Sequence, residues 1–312
     1  MIVLNYHRVG GSDPPAFYTV TRADFEDHLK IVRELGLRSI PTEDVLASDT
    51  DHGAIMLHFD DGTDDHFHNV APLLQQFGMK GVFFISTSKI QKEGYLSVEQ
   101  IQELAVAGHS IECHGHTHRR LDQLTEEELD NELTTSILLI KEWTGRAPRI
   151  LAPPGGFFNK AVIDAAAFHG LRIIRSMKWG KNTIPVGNRI DCFVITRFTS
   201  VKTIRKWLLG RGLVLMRIQY WLKQIIRSLL PKNLYLMVRQ LAKWHHTVSL
   251  IVTILTGTLH CALPFSQSSA ARILLARLMI ISKAPKSGRV AICGIFPLFL
   301  TSPQTPIVSS VG

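Results

Sequence analysis

Along roughly the first two hundred residues, short apolar runs alternate with stretches whose apolar positions recur every three or four residues, the pattern of repeated βα units. The segments "IVLNY", "AIMLHF", "GVFFIST", "HSIECH", "RILAP" and "LRIIRSM" read as strands. Between them, "RADFEDHLKIVRELG" places Phe25, Leu29, Val32 and Leu35 on one helical face and closes on Gly36. A second helix is expected to begin at Pro72 in "PLLQQFG", and further helices at "SVEQIQELAVAG", "TEEELDNELTTSILLIKEWTG" and "NKAVIDAAAFHG". Ser97 and Thr125 open Ser/Thr-x-x-Glu/Gln boxes, which satisfy the first amides of a helix. Apolar strands alternating with helices predict an α/β fold, a parallel sheet closed into a barrel or left open and doubly wound. In both, chemistry collects where the strands end.

The pattern changes near residue 192. All 26 acidic residues lie at or before Asp191, so the remainder carries only Lys and Arg charge, and the net charge of +9 describes neither part. Residues 201–243 read as a basic helical extension of amphipathic helices split at Pro231, a kind that binds a membrane surface or an acidic partner. Residues 244–312 form an apolar, acid-free tail, either membrane-associated or disordered; its stretch 247–263 is short of a bilayer span and interrupted by Gly257 and His260. Nucleic acid is not an expected partner, because basic and aromatic residues there follow helical spacing rather than a nucleic-acid module. The four cysteines lack CxxC spacing, which excludes a thiolate zinc site and suggests a reducing compartment. The opening "MIVLNYHRVGG" lacks the parts of a signal peptide, so the expected location is cytoplasmic, with contact at the inner face of the membrane through the extension.

Three predicted strand ends carry unusual residues: Asp60 and Asp61 in "LHFDDG", His114, His116 and His118 in "ECHGHTHRRL", and the Pro and Gly residues of "LAPPGGFFN". Burying one carboxylate costs several kcal/mol unless it is paired or ligates a metal, so two in succession on an apolar strand mean either that the strand ends there or that a cation waits. Asp61, His114 and His118 provide the three-ligand set of a catalytic zinc or similar divalent site. Asp60 then stands where a general base would, taking a proton from water whose pKa the ion lowers. His116 reads as structural or substrate-facing, His66 and His68 as surface or loop residues, and Asp64 and Asp65 as helix-start acids.

In order and spacing, these segments resemble the polysaccharide deacetylase family, also called the NodB-homology family or carbohydrate esterase family 4. "HFDDG" is similar to its TFDDG motif, "HGHTH" to its His-x-x-x-His motif, and "APPGG" to its Arg-Pro-Pro-x-Gly motif. The resemblance covers residues 1–200 as the catalytic domain and implies a distorted (β/α) barrel. It implies a divalent-metal-dependent hydrolase, most simply with Zn2+, acting on carbon–nitrogen bonds other than peptides and releasing acetyl groups from N-acetylated sugars of an oligo- or polysaccharide. By it, Asp60 is the general base, Asp61, His114 and His118 the metal ligands, and a backbone N–H near Gly155 an oxyanion donor. Trp179 is a candidate for stacking on the sugar.

Two positions depart from the family pattern. Ala152 stands where the family has an Arg that pairs with the catalytic Asp, with Arg149 as a substitute candidate, and no Leu-x-His follows residue 190 to supply a general acid, which leaves His7 as a candidate. Two alternative readings follow: a related hydrolase acting on an O-acetyl ester or non-sugar amide, and a catalytically silent carbohydrate-binding member of the fold.

Overall fold

The apolar alternation of the first strand, β1 (Ile2–Tyr6), decides the architecture, because its two faces enter two separate cores. A computed structural model describes residues 1–11, 16–47 and 53–211. After β1 come β2 (Arg8–Val9), β3 (Thr19–Val20), α1 (Arg22–Glu34), β4 (Arg38–Ser39), α2 (Thr42–Ala47) and β5 (Ala54–Phe59). Next follow α3 (Ala71–Gln76), β6 (Val82–Ile85), α4 (Val98–Val106), β7 (Ser110–Cys113), α5 (Glu126–Thr144), β8 (Ile150–Leu151), α6 (Lys160–Phe168) and β9 (Ile173–Arg175). The series ends with β10 (Arg189–Ile190), β11 (Phe193–Val194) and α7 (Val201–Leu208).

Every pairing in the nine-stranded sheet is parallel, in the order β10-β9-β8-β7-β6-β5-β1-β11, with β4 beside the start of β5. The two ends of that order, β10 and β11, are separated in the chain only by Asp191 and Cys192. Two residues cannot cross a flat sheet of this width, so the sheet must curl until its edges almost meet. The result is a distorted (β/α) barrel.

Ile2, Leu4, Tyr6, Ile55, Leu57, Phe59 and Phe83 face outward, where Phe25, Leu29 and Val32 of α1, Leu73 and Leu74 of α3 and Ile101 and Leu104 of α4 cover them. Phe59 stacks between Tyr6 and Phe83, with ring centroids 5.5 and 5.0 Å away. Met1, Val3, Met56, Val82, Phe84, Ile150, Ile173 and Ile190 face inward as a second core, joined by Ile40 and by Val45 of α2. Moving along the interior toward the strand C-termini, the lining turns polar: Asn5, His58, Asp60, Ser86, His114 and Arg175, each nearly or fully buried.

Local signals hold where the sequence placed them. Ser97 and Thr125 both form complete capping boxes, and Gly145 ends α5 in the left-handed conformation at φ 71°. The helix expected to begin at Pro72 instead follows directly on a π-helical turn, His66–Val70, so the helical path starts six residues earlier. Pro72 lies where the π turn passes into α3, in that helix's first turn. The basic extension expected from residue 201 opens with α7, whose Ile204 and Trp207 are buried against the barrel; Trp207 stacks on Phe193 at 5.0 Å. The rest of the 201–243 extension, beyond Arg211, and the 244–312 tail lie outside the described residues. Among the described residues no helix is long and apolar enough to cross a membrane.

Candidate active site

Because all strands run the same way, the turns after β5, β7 and β8 emerge on one rim, and the structure brings Asp60, Asp61, His114 and His118 together there. The Asp61 Oδ1 atom is 3.0 Å from His118 Nε2 and 3.5 Å from His114 Nε2. One ligand atom from each of the three residues lies within 4.8 Å of the others. Asp61 and His118 are held at φ 79° and 63°, a left-handed backbone that non-glycine residues adopt only when their surroundings force it.

His114 is aimed by a second contact, and the turn that carries His118 is braced by another. His114 Nδ1 lies 2.5 Å from the Ala152 carbonyl oxygen, an acceptor only, so Nδ1 carries the proton and Nε2 presents its lone pair to the cluster. The turn between the two histidines is gripped by Glu132 of α5, whose carboxylate accepts the His116 N–H at 2.8 Å, the Thr117 N–H at 3.0 Å and the Thr117 hydroxyl. His116 itself turns away, its Nδ1 2.8 Å from the Thr87 hydroxyl. Two imidazole Nε2 atoms and one carboxylate, oriented in advance and partly open to solvent, fit a divalent cation of the zinc class.

Asp60 is 2% exposed and does not join that set. Its carboxylate receives Arg175 Nη2 at 2.6 and 2.7 Å and Asn5 Nδ2 at 3.0 Å, and His7 Nε2 stands 3.7 Å away. Burial pushes the Asp60 carboxyl up, but Arg175 first, then His114 and His7, outweigh it and hold the group at about 2. Burial likewise raises Asp61, and its bonds to His114 and His118 bring it well below the usual carboxylate range.

The arginine expected near the third motif is therefore Arg175, at the end of β9, which sequence reading missed. Arg149 cannot fill that place: it precedes β8 at the opposite end of the barrel, its side chain is exposed, and its N–H is bonded to Glu112 at 2.7 Å. A signal existed, because an arginine closing the apolar run "LRII" raises the same question of buried charge as the Asp pair.

The remaining candidates are placed as follows. Gly155 sits at φ 68° in a tight turn, Pro154–Gly156, just past β8, on the same rim as the ligands. An added Cβ would stand 3.0 Å from the Phe157 ring, so the turn requires glycine. Trp179 is not brought into the cluster; it packs between Phe193 and Trp207, at 6.5 and 6.0 Å, in the layer under α7. Its large ring is used to seal helix against barrel. His66, expected at the surface, is fully buried, with Nε2 2.5 Å from the His7 carbonyl oxygen, and thereby ties the turn after β5 to the end of β1. Asp65 extends that tie by accepting the Val9 N–H at 2.7 Å.

Residues 47–174 match the family model described as polysaccharide deacetylase. The chain is 28% identical over 176 residues to YxkH of Bacillus subtilis, described as a polysaccharide deacetylase, covering 55% of this chain and 62% of that protein. It is 29% identical over 121 residues to a peptidoglycan-N-acetylglucosamine deacetylase of Bacillus cereus, covering 38% of this chain and 54% of that protein. The chain thus spans less than two thirds of either relative. In fold, it superimposes on the Streptococcus pyogenes deacetylase PplD, solved with acetate, at a TM-score of 0.62 and 19% identity, over 65% of this chain and 96% of that one. With its motifs in order on one barrel rim, the chain is similar over residues 47–174 to the polysaccharide deacetylase family.

Proposed function

We propose that this protein is a divalent-metal-dependent hydrolase that removes acetyl groups from N-acetylated sugars of an oligo- or polysaccharide. The observation that carries the reading is the pairing of an oriented Asp61, His114 and His118 set with a separate buried carboxylate, Asp60, held by Arg175. Asp61 Oδ1 and the Nε2 atoms of His114 and His118 would hold the cation. A divalent ion of this kind polarises an acyl oxygen and lowers the pKa of water.

The chain's own residues supply the proton transfers. Asp60, kept ionised by Arg175 and Asn5, accepts the proton of the attacking water on a free carboxylate lone pair. The Gly156 N–H is used within the turn, bonded to the Pro153 carbonyl oxygen at 2.8 Å, so the Gly155 N–H is the turn's donor to the developing oxyanion. His7, whose Nε2 stands 3.7 Å from Asp60 Oδ2, delivers a proton to the departing amine.

Arg175 also bears on the alternative of a silent binding protein, whose motives were a missing arginine and a missing Leu-x-His; it answers the first. A module that only bound sugar would have no use for a desolvated Asp–Arg pair beside a ligand set. The reading is tested by elemental analysis of the purified protein and its Asp61→Ala and His114→Ala variants, alongside acetate release from N-acetylglucosamine oligomers. Near-stoichiometric metal, lost in both variants together with acetate release, supports it; metal bound without release from any oligomer favours the silent protein. Release from O-acetyl esters alone moves the substrate to that class. We further propose a cytoplasmic protein touching the inner membrane face through its basic extension, which cell fractionation of the full chain against a chain truncated after residue 211 tests.

A further inference from the structure

Beside His7 the surface carries three exposed aromatic side chains in mutual contact: Phe17, Tyr18 and Phe198, which are 40%, 39% and 56% exposed. The Tyr18 ring stacks on the His7 ring with centroids 4.7 Å apart and planes 22° apart. Phe17 meets Tyr18 edge-on at 4.8 Å, and Phe198 lies 6.1 Å from Phe17. They come from two distant segments, one after β1 and one after β11, which a backbone bond from Arg197 N–H to the Phe17 carbonyl joins at 3.1 Å. A further bond from Arg8 N–H to the Tyr18 carbonyl, at 3.3 Å, fixes the first segment against β2. The Arg197 guanidinium stands 4.7 Å from the Phe198 ring and steadies it.

Single exposed apolar residues are ordinary, as with Val106, Leu138, Phe168 and Leu209, each on a different helix or helix end. A contiguous aromatic row that begins at a ring 3.7 Å from the buried Asp60 carboxylate is different. Its backbone is tied at both ends, so the rings are presented in advance rather than assembled on contact. Flat aromatic faces take up the C–H faces of a sugar ring while its hydroxyls remain in water, and they do so with little loss of side-chain freedom.

We propose that Phe17, Tyr18 and Phe198 form a stacking subsite for a sugar unit next to the one being deacetylated, leading the saccharide chain away from Asp60 over His7. This deepens the deacetylase reading and rests on it. The continuity of the row with His7 selects a saccharide, rather than a protein, as its occupant.

The test uses a Phe17→Ser/Phe198→Ser double variant of the full chain, which leaves His7 and Tyr18 in place. Rates are measured on N-acetylglucosamine dimer and pentamer, and pentamer binding by calorimetry on both proteins. The expected result is about a three- to tenfold rise in KM and in Kd for the pentamer, the loss of a stacked ring or two, with kcat changed less than about twofold and the dimer unaffected. Pentamer KM and Kd equal to those of an active wild type would overturn the subsite and leave the deacetylase reading intact. The same equality, with a dimer of the wild type that the variant cannot form, assigns the face to a second copy of the chain instead. A wild type that neither binds nor deacetylates any oligomer overturns both readings together.

Discussion

At the scale of single residues, the Asp60–Arg175 pair governs the site. Both members are buried, and the interior returns the cost of desolvating them only while each keeps the other. Replacing Arg175 with Met leaves an unpaired carboxylate, with an expected loss of about 3–5 kcal/mol of stability in urea melts. Adding Asp60→Asn to that variant removes the stranded charge and should recover much of the loss. If the double variant is no more stable than Arg175→Met, the pair is not the source of the effect. The same substitution has a kinetic signature. Burial raises the Asp60 carboxyl and Arg175 is the first influence opposing it, so without Arg175 the acid limb of kcat/KM should move to higher pH. Lysine should not rescue, since one ammonium lacks the planar array of donors that Arg175 spreads over Asp60 and Cys192. The convergence of Asp60, Asp61, His114 and His118 was legible in the sequence because ordered motifs carry them. Arg175 was not, since its partner lies 115 positions away and only the barrel register brings the two together.

At the scale of elements, the ligand histidines depend on a helix that contributes no ligand. Glu132 reaches from α5 to collect the amides of His116 and Thr117, and so fixes a turn in which Gly115 and His118 both take positive φ. Its two oxygens face only donors, so glutamine would turn an NH2 group toward an N–H or a hydroxyl. Glu132→Gln is therefore expected to weaken metal binding by about 10- to 100-fold, as loss of an orienting partner does. Cobalt titration followed by its visible absorption reads this directly, while circular dichroism checks that helix content is kept. Unchanged cobalt affinity and spectrum would reduce Glu132 to a structural role. Helix α5 itself was plain from its period and its Thr125 box, whereas the task of Glu132 was hidden, because one inward glutamate among several on an acidic helix looks like any other. The π turn at His66–Val70 was hidden for a related reason: its histidines read as polar surface until the fold buried His66 behind Phe59 and Phe83.

At the scale of the whole molecule, the alternation of strands and helices announced a parallel α/β fold, but closure rests on β10 and β11, each two residues long, which no periodicity reveals. Closure has an electrostatic consequence, for it buries titratable groups whose charge the interior opposes. Burial lowers His58 to about 3 and His28 and His109 to about 4, from an ordinary 6.5. In the unfolded chain these imidazoles take up protons as pH falls below 6.5, whereas in the folded chain they stay neutral until about pH 4 or lower. The unfolded state then binds more protons, so their contribution to stability is complete above 6.5 and is lost as the pH falls. Glu112 works in the opposite sense. Burial raises it from 4.5 to about 7, so the folded chain holds the extra proton and this contribution fades as pH rises through that window. Three histidines, with His7 lowered by burial in the same direction, outweigh one glutamate between about pH 5 and 6. The urea midpoint should therefore drop steeply on acidification through that range. Glu112→Gln, which keeps an acceptor for the Arg149 and Ile150 amides, should make the drop steeper and raise stability near neutrality. A midpoint flat between about pH 7 and 5 would show that the three imidazoles charge freely in the native state, and hence that water reaches His58 inside the barrel and His28 and His109 in the layer outside the sheet.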